Sequence, residues 1–309
     1  MMGRLEQQWR HFWSRQTNPA AITLFRIGLG GSFALLLLSC LFTWEYYYAP
    51  DGTLSLNDTG IAHYPRDPWS FFTWTDPWLP VRVYWWAGLA TCVAFMLGWK
   101  TRWAAIFLYL LQHSMIKQNG VATSAGEATF HTFFFYSCFA SLDGAWSLDG
   151  WLAQRRASAT PQPARLHLWP LHLAQLHLAF IYFFSAWYKL ITDQGFWRNG
   201  EAIYWVTMDM TWAAWPWKDM FNGPVGFRLC QTMTYGFLLL EGTFALLVWL
   251  RPTRLLVVAL MALFHIVTGL TFPPVLFFSM AMLSALALFL PARTRLPDGW
   301  THGMRCGGK

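Results

Sequence analysis

The chain has 309 residues, of which 55% are apolar, 19% aromatic and only 12% charged, about half the charged fraction of an ordinary soluble domain. This composition is typical of a membrane protein. The net charge of +7 does not indicate nucleic-acid binding, because the basic residues lie in short segments beside apolar runs. The five cysteines lack the spacing of a zinc site or a disulfide framework, so we expect no metal.

Residues 1–18 carry three arginines and are expected to form a cytoplasmic N-terminal arm. Eight apolar segments follow, most of them close to the ~20 residues that a helix needs to cross a bilayer. They cover residues 20–42, 79–97, 103–117, 129–142, 166–190, 229–250, 254–270 and 274–290. We therefore predict an all-α, polytopic bundle of about eight transmembrane spans over residues 19–291, with a short cytoplasmic tail at 292–309. The linker-like stretch 155–163 would divide it into two four-helix halves.

Lysine and arginine decide the orientation, because positive loops stay in the cytoplasm. Basic residues fall in the arm, in every second loop and in the tail, whereas the alternate loops are acidic or mixed. This alternation predicts a multi-pass protein of the plasma (inner) membrane with both termini cytoplasmic. Two long loops rich in tryptophan and tyrosine would then lie outside the cell.

The longer outer loop, residues 192–228, exceeds a simple connection. Asn199 is a candidate N-cap for a helix with Glu201 in its first turn, and aromatic residues recur at roughly helical spacing from Tyr204 to Trp215. We interpret this segment as an amphipathic helix on the outer leaflet. An aromatic belt without regular structure is an equal alternative.

Ionisable side chains inside predicted spans are candidate functional groups. Arg26 is interpreted as a packing or topology residue whose side chain reaches the headgroups. Glu241, near the middle of the sixth span, must pair, lose its charge or face water. The predicted orientation places six other groups in the extracytoplasmic half, which indicates a polar cavity opening outward: His113, Lys117, Glu127, His131, Lys189 and His265. Lys189 is either a snorkelling anchor or a base in an apolar site.

Several short motifs, in order, resemble the horizontally transferred transmembrane domain, the membrane part of vitamin K-dependent gamma-glutamyl carboxylase and its bacterial relatives. The resemblance covers nearly the whole of residues 19–291. The motifs are Phe-Arg-Ile at 25–27, Tyr-Ala-Pro-Asp-Gly at 48–52, Gly-Trp-Lys-Thr-Arg at 98–102, Trp-Ser-Leu-Asp-Gly at 146–150, Tyr-Phe-Phe-Ser-Ala-Trp-Tyr-Lys-Leu at 182–190 with Trp197 and Gly200, and Phe-His at 264–265.

This resemblance implies an enzyme that uses reduced vitamin K or a related quinone. The lysine corresponding to Lys189 would deprotonate the quinol, oxygenation would yield a strong base, and a peptide or small substrate would be modified, with carboxylation as the family reaction. A lysine in water has a pKa of about 10.4, which an apolar setting lowers. His265 and His131 would support Lys189. The expected quinone-binding residues are Phe184, Trp187, Tyr188, Trp197, His113, Lys117 and Glu127.

One departure limits the carry-over of this chemistry. The carboxylase has a histidine preceded by asparagine near the outer start of the fourth span, whereas His131 here is displaced by more than one helical turn. The other hypothesis is therefore a non-catalytic membrane protein that binds a lipid or peptide, or assists export or maturation of a secreted peptide. Membrane lipids are expected partners in either case.

Overall fold

The computed structural model describes residues 13, 18–49, 70–72, 79–119, 123–142, 146–156, 168–192, 195–213 and 217–291. Within these residues every regular element is helical and none is a strand, which confirms the predicted all-α class. Most of the predicted arm and linker, the whole predicted tail, the acidic residues of the first outer loop and Trp215 lie outside the described residues.

The described part contains twelve α-helices, which we number in chain order. They are α1 Pro19–Ser39, α2 Trp44–Tyr48, α3 Val81–Leu97, α4 Thr101–Gln118, α5 Ala125–Phe139, α6 Leu148–Arg156, α7 Trp169–Ile191, α8 Ala202–Met208, α9 Trp217–Phe221, α10 Gly223–Leu247, α11 Arg254–Thr271 and α12 Leu276–Leu286. Two 3₁₀ turns, Pro273–Val275 and Ala287–Phe289, flank α12. Each of the eight predicted apolar segments thus coincides with a helix.

The chain divides into two compact units, one formed by Met1–Ala174 with Leu290–Lys309 and the other by Gln175–Phe289. The division falls inside α7, not at the predicted linker 155–163. The linker prediction failed because it relied on composition alone, whereas a helix can continue from one compact unit into the next.

The first unit is built on α1, α3, α4 and α5, which pack on one another. Helix α1 begins where its sequence favours an N-terminus. The Asn18 side chain caps it by accepting a hydrogen bond of 3.0 Å from the Ala20 backbone amide, and Pro19 is its first residue. Aromatic rings fill its core, among them Phe25, Phe33, Phe95, Phe130, Phe133 and Phe134, all fully buried. Burial of such rings is the main favourable term in packing the unit.

The second unit combines the C-terminal part of α7 with α8 to α12 and has the architecture that forms the candidate site. Helix α10 packs on α8 and α11, and α11 packs on α12. The sharp connection between α11 and α12 contains Pro273 and Pro274, which cannot continue a helix because proline lacks the backbone donor. The resulting hairpin brings Thr268 Oγ1 of α11 within 3.4 Å of Ser279 Oγ of α12.

Two helices of the described part, α1 and α11, are long and apolar enough to cross a membrane by length and composition. Helix α1 is mostly buried inside the protein, whereas only 28% of α11 is buried. The longer helices α7 and α10 do not meet the same criterion, since they carry polar side chains such as His172, Lys189 and Glu241.

The helix predicted to begin at Asn199 is shorter than expected. Helix α8 spans only Ala202–Met208 and begins after Glu201, whose side chain makes no cap hydrogen bond. Asn199 instead belongs to a tight turn that precedes the helix, in which its amide donates to the Gly195 carbonyl. Trp212 follows in a turn after Asp209.

Candidate functional site

A pocket of about 250 Å³ lies entirely within the second unit. Its walls come from α7, α8, α10, α11 and α12 and from the loops beside α8. Aromatic rings form much of the lining: Tyr182, Trp197, Trp212, Phe237, Phe264, Phe272 and Phe278, with the imidazole of His265. Pockets that bind small molecules are typically apolar and aromatic, with a few polar groups that fix the ligand.

The principal polar feature of the pocket is an ion pair between Lys189 of α7 and Glu241 of α10. Lys189 Nζ lies 2.8 Å from Glu241 Oε1 and 2.6 Å from Oε2, so the amine contacts both carboxylate oxygens. The side chains are 20% and 6% exposed, respectively, so water screens the pair only weakly. Ser185 Oγ, one turn before Lys189, donates to Glu241 Oε2 at 3.4 Å.

The expectation placed an uncharged Lys189 among aromatic rings, and the structure adds a carboxylate partner that the sequence did not show. Lys189 still lines an apolar pocket, but a carboxylate lies directly beside its amine. The helices are close at this level, since a Cβ at Gly242, next to Glu241, would be in ordinary contact with Ala186 of α7, at 3.7 Å. The pair has no net charge, so it does not by itself select a charged ligand.

Trp197 covers the other side of the amine. Lys189 Nζ lies 4.4 Å from the centre of the Trp197 ring, a favourable arrangement because the ring face carries partial negative charge. The turn that carries Trp197 is attached to α10, since Gln231 Nε2 donates to the Asn199 carbonyl and the Tyr235 hydroxyl donates to the Arg198 carbonyl. The turn therefore positions the ring as a fixed wall over Lys189.

A second polar pair, Tyr182 with His265, lies in the same pocket wall. The Tyr182 hydroxyl and His265 Nε2 are joined by a hydrogen bond of 2.7 Å. Both residues are almost fully buried, with 2% and 1% exposure, respectively. His265 Nδ1 has no hydrogen-bond partner, and Phe264 and Phe278 pack against the ring.

No family model, curated protein or solved structure matches this chain. The chemistry of the pocket therefore follows from its own residues. Within the described residues no group of three or more His, Cys, Asp or Glu side chains could hold a metal ion.

Three residues expected to bind a quinone lie on a face of α7 that does not line the described pocket. Phe184, Trp187 and Tyr188 do not line the pocket, and they are 59%, 52% and 66% exposed. Helical geometry explains this placement, since residues spaced three and four apart share a face. That spacing joins Lys189 to Ser185 and Tyr182, and it turns the other three side chains outward.

Four other expected site residues belong to the first unit and do not line the pocket: His113, Lys117, Glu127 and His131. The His131 ring stacks on Tyr109 with 4.4 Å between ring centres, and it lies 5.5 Å from the His113 ring. Lys117 follows His113 by one turn of α4. The described pocket therefore contains His265 but not His131.

Glu127 has a local structural role that accounts for its position. Its carboxylate accepts hydrogen bonds from the amide and the hydroxyl of Ser124, and the Ser124 hydroxyl in turn accepts from the Gly126 amide. This is a capping box that starts α5. The sequence pattern Ser-x-x-Glu at 124–127 could have predicted that role.

Arg26 is also placed differently from the expectation that it reaches headgroups. Its side chain is fully buried and donates to the carbonyls of Leu142 and Trp146 at 2.6 and 2.7 Å. Gly98, with a φ of 74°, passes so close that a Cβ there would lie 2.8 Å from the guanidinium. Arg26 is therefore a structural clamp that binds α1 to Leu142 and Trp146, which follow α5 in the chain.

Sequence reasoning singled out Lys189, His265 and Trp197, which the fold brings together, but it missed three of their neighbours. Glu241 was recognised only as a group that needs a partner, and Tyr182 and Ser185 received no role. The signal that could have found them is the helical spacing of 182, 185 and 189, which defines one polar stripe on α7.

Proposed function

We propose that this chain is a multi-pass membrane enzyme whose second unit binds the ring of a reduced quinone beside the Lys189–Glu241 pair. The observation that carries the proposal is a lysine–carboxylate pair facing an aromatic-lined pocket. In this proposal the eight apolar helical segments form about eight spans in the plasma membrane, both termini are cytoplasmic, and the pocket opens to the extracytoplasmic side.

The exposed surface of the second unit supports a membrane setting. Helix α11 exposes large apolar side chains, among them Leu255, Leu256, Leu263, Ile266, Val267 and Leu270. Helix α7 exposes Phe180 and its aromatic neighbours in the same way. Contiguous apolar surface of this kind is costly in water and favourable in lipid.

The dimensions of the pocket support a small flat ligand. A cavity of about 250 Å³ lies below the usual range for complete drug-sized ligands. It accommodates a ring system, or one side chain of a larger substrate, but not a folded peptide. A quinone ring offers flat apolar faces to Trp197, Phe237 and Phe264, and it offers oxygen atoms to Lys189.

The chemistry proposed for Lys189 starts from the ion pair. The 2.6 Å contact between Nζ and Glu241 gives a direct path along which one proton would pass from the amine to the carboxylate, leaving a neutral amine and a neutral acid. A reduced quinone bound there would supply the reducing electrons, and Lys189 would be placed to take a proton from it and to hold that proton as an ammonium beside Glu241. Tyr182 and His265 are a second polar pair within the same wall.

The substrate side of the proposal comes from the resemblance to the vitamin K-dependent carboxylases. Dioxygen would be the oxidant of the quinol anion, and the substrate modified would be a peptide or small molecule at the extracytoplasmic side, with carboxylation as the implied reaction. The reduced quinone is the proposed cofactor, and membrane lipids surround the protein.

A second candidate function is non-catalytic binding of a lipid or a peptide side chain, including assistance in export or maturation of a secreted peptide. The contact of Lys189 Nζ with both Glu241 oxygens favours it, because such a pair also serves to link α7 and α10. The two candidates differ in what they require of position 189.

The decisive experiment uses the purified chain in lipid nanodiscs with reduced vitamin K1 and dioxygen, with quinone epoxide measured by mass spectrometry. We expect Lys189→Ala and Lys189→Arg to abolish epoxide formation, because arginine keeps the charge but supplies no neutral amine. Leu190→Ala, on the exposed side of α7, is the control and should retain activity.

Full epoxide formation in Lys189→Arg would remove Lys189 as the proposed base, because arginine supplies no neutral amine. Absence of epoxide with the unmodified protein, together with saturable binding of the quinone, would remove the enzyme assignment and leave the binding function.

A further inference from the structure

Lys189 is the most accessible of the titratable groups that line the pocket. Its side chain is 20% exposed, against 6% for Glu241, while Tyr182 and His265 are 2% and 1% exposed. The lining of the pocket therefore contains a primary amine on the least buried of its titratable side chains. The remaining surroundings are largely rings and aliphatic side chains, such as Ile181 and Val206.

We infer that Lys189 is a site of reversible imine formation with an apolar aldehyde or ketone, with Glu241 as proton acceptor and then as counter-ion. This covalent chemistry goes beyond the proposed quinone function and does not depend on it. Lysine amines in apolar pockets are suited to Schiff-base formation, because desolvation favours the neutral nucleophile.

The reaction balances without an oxidant or a reductant. Glu241 first takes one proton from Lys189 Nζ across the 2.6 Å contact, and the amine lone pair attacks the carbonyl carbon. The π-electron pair of the carbonyl moves to its oxygen, which takes up the proton held by Glu241. A second proton passes from nitrogen to that oxygen through the carboxylate, and water leaves as the C=N bond forms.

The product suits the pocket for two reasons. The imine nitrogen keeps one proton and its positive charge, so the ion pair with Glu241 and the contact with the Trp197 ring, 4.4 Å from Nζ, both persist. An imine hydrolyses readily in water, and a lining of apolar residues such as Phe237 and Phe264 restricts the access of water to it.

The test labels the full-length purified protein in detergent with octanal and sodium cyanoborohydride, which reduces an imine to a stable secondary amine. Peptide mapping by mass spectrometry then gives the rate of octyl addition at each lysine. We expect Lys189 to react at least about tenfold faster than Lys117, since a base beside the nucleophile accelerates such proton transfers by roughly that factor or more. Lys100 provides a second internal reference.

Two variants and one competitor complete the test. Glu241→Gln should slow addition at position 189 by about tenfold or more, and Lys189→Arg should remove the adduct from this position. Because Glu241→Gln could fail to fold, protection by 1-octanol is measured on the unmodified protein: the alcohol fits the same cavity, forms no imine, and should slow labelling of Lys189 but not of Lys117.

Labelling of Lys189 no faster than of Lys117, or labelling that 1-octanol does not slow, would overturn the inference. The proposed quinone function would be untouched by that result, because epoxide formation is measured without any aldehyde. Conversely, rapid octyl addition at Lys189 in a protein that forms no epoxide would support the imine site and reject the quinone function.

Discussion

The Tyr182 hydroxyl and His265 Nε2, on helices α7 and α11, are 2.7 Å apart and nearly closed to solvent. This contact joins two elements of the pocket wall by a single hydrogen bond between side chains. The hydrogen bond occupies Nε2 of the His265 ring, while the other ring nitrogen, Nδ1, has no hydrogen-bond partner. The contribution of this hydrogen bond to the free energy of unfolding can therefore be tested by removing the Tyr182 hydroxyl.

Tyr182→Phe removes the hydroxyl and leaves His265 Nε2 buried without a partner. We expect a loss of about 1–3 kcal/mol in the free energy of unfolding, the cost of an unsatisfied buried polar group. Thermal unfolding in detergent measures it. Tyr188→Phe removes a hydroxyl from the same helix on its exposed side and should change the midpoint little; equal effects of the two changes would contradict the assignment.

Glu241→Gln should destabilise the protein by about 3 kcal/mol, because it leaves the shielded ammonium of Lys189 without its charge partner. The double change Glu241→Leu with Lys189→Met removes both charges and should come within about 1 kcal/mol of the unmodified protein. Denaturant titration of the three proteins gives the comparison. A double variant as unstable as the single one would mean that the pair itself stabilises the fold.

Gly200 has a φ of 77°, and a Cβ there would lie 2.5 Å from Gln231 Cγ. Gly200→Ala should therefore cost about 1–3 kcal/mol and displace the turn that holds Trp197 over Lys189. Gly236→Ala in α10 is the matched control, since nothing lies within 4 Å of a Cβ at that position. In a helix interior that change should be neutral or stabilising by up to about 1 kcal/mol.

The outcome for Gly200 is read from unfolding midpoints and from quinone affinity in the same preparations. Loss of affinity in the Gly200→Ala variant alone supports the fixed position of Trp197. A variant as stable and as tight-binding as the Gly236→Ala control would show that the turn can rearrange freely.

Arg26→Met should destabilise the protein by about 2–4 kcal/mol, because two charge-assisted hydrogen bonds to backbone carbonyls are lost. Arg82→Met is the comparison, since Arg82 also bonds a carbonyl, that of Leu41, but pairs with Glu45 at a partly exposed site. Exposed ion pairs contribute little, so its effect should be about 1 kcal/mol. Denaturant titration gives the free energy of unfolding of both variants. A smaller loss in Arg26→Met than in Arg82→Met would contradict the role of Arg26 as a buried clamp.

The positions of the long helices could be predicted from the sequence, because apolar runs of sufficient length favour a helix wherever they are buried or in lipid. The residues at which the helices end were harder to predict. Helix α8 stops at Met208, because Asp209 starts a turn in which its carboxylate accepts a hydrogen bond from the Thr211 amide. The spacing of the aromatic residues alone does not reveal this turn.

The site was only partly predictable for a different reason. Lys189 was found because a charge at the end of an apolar run is conspicuous, but its partner Glu241 lies 52 residues later in the chain. Hydropathy contains no information about which helices are neighbours. The face of α7 on which each residue lies could have been inferred from helical geometry. Each residue turns the helix by about 100°, so Phe184, Trp187 and Tyr188 lie on a different face from Lys189.

The long sequence separations at Arg26 have a consequence for biogenesis. Its two carbonyl acceptors, on Leu142 and Trp146, are 116 and 120 residues further along the chain. A ribosome must release all of α1 to α5 before this guanidinium can meet them, so a nascent chain cut short before that point keeps the cation without those acceptors.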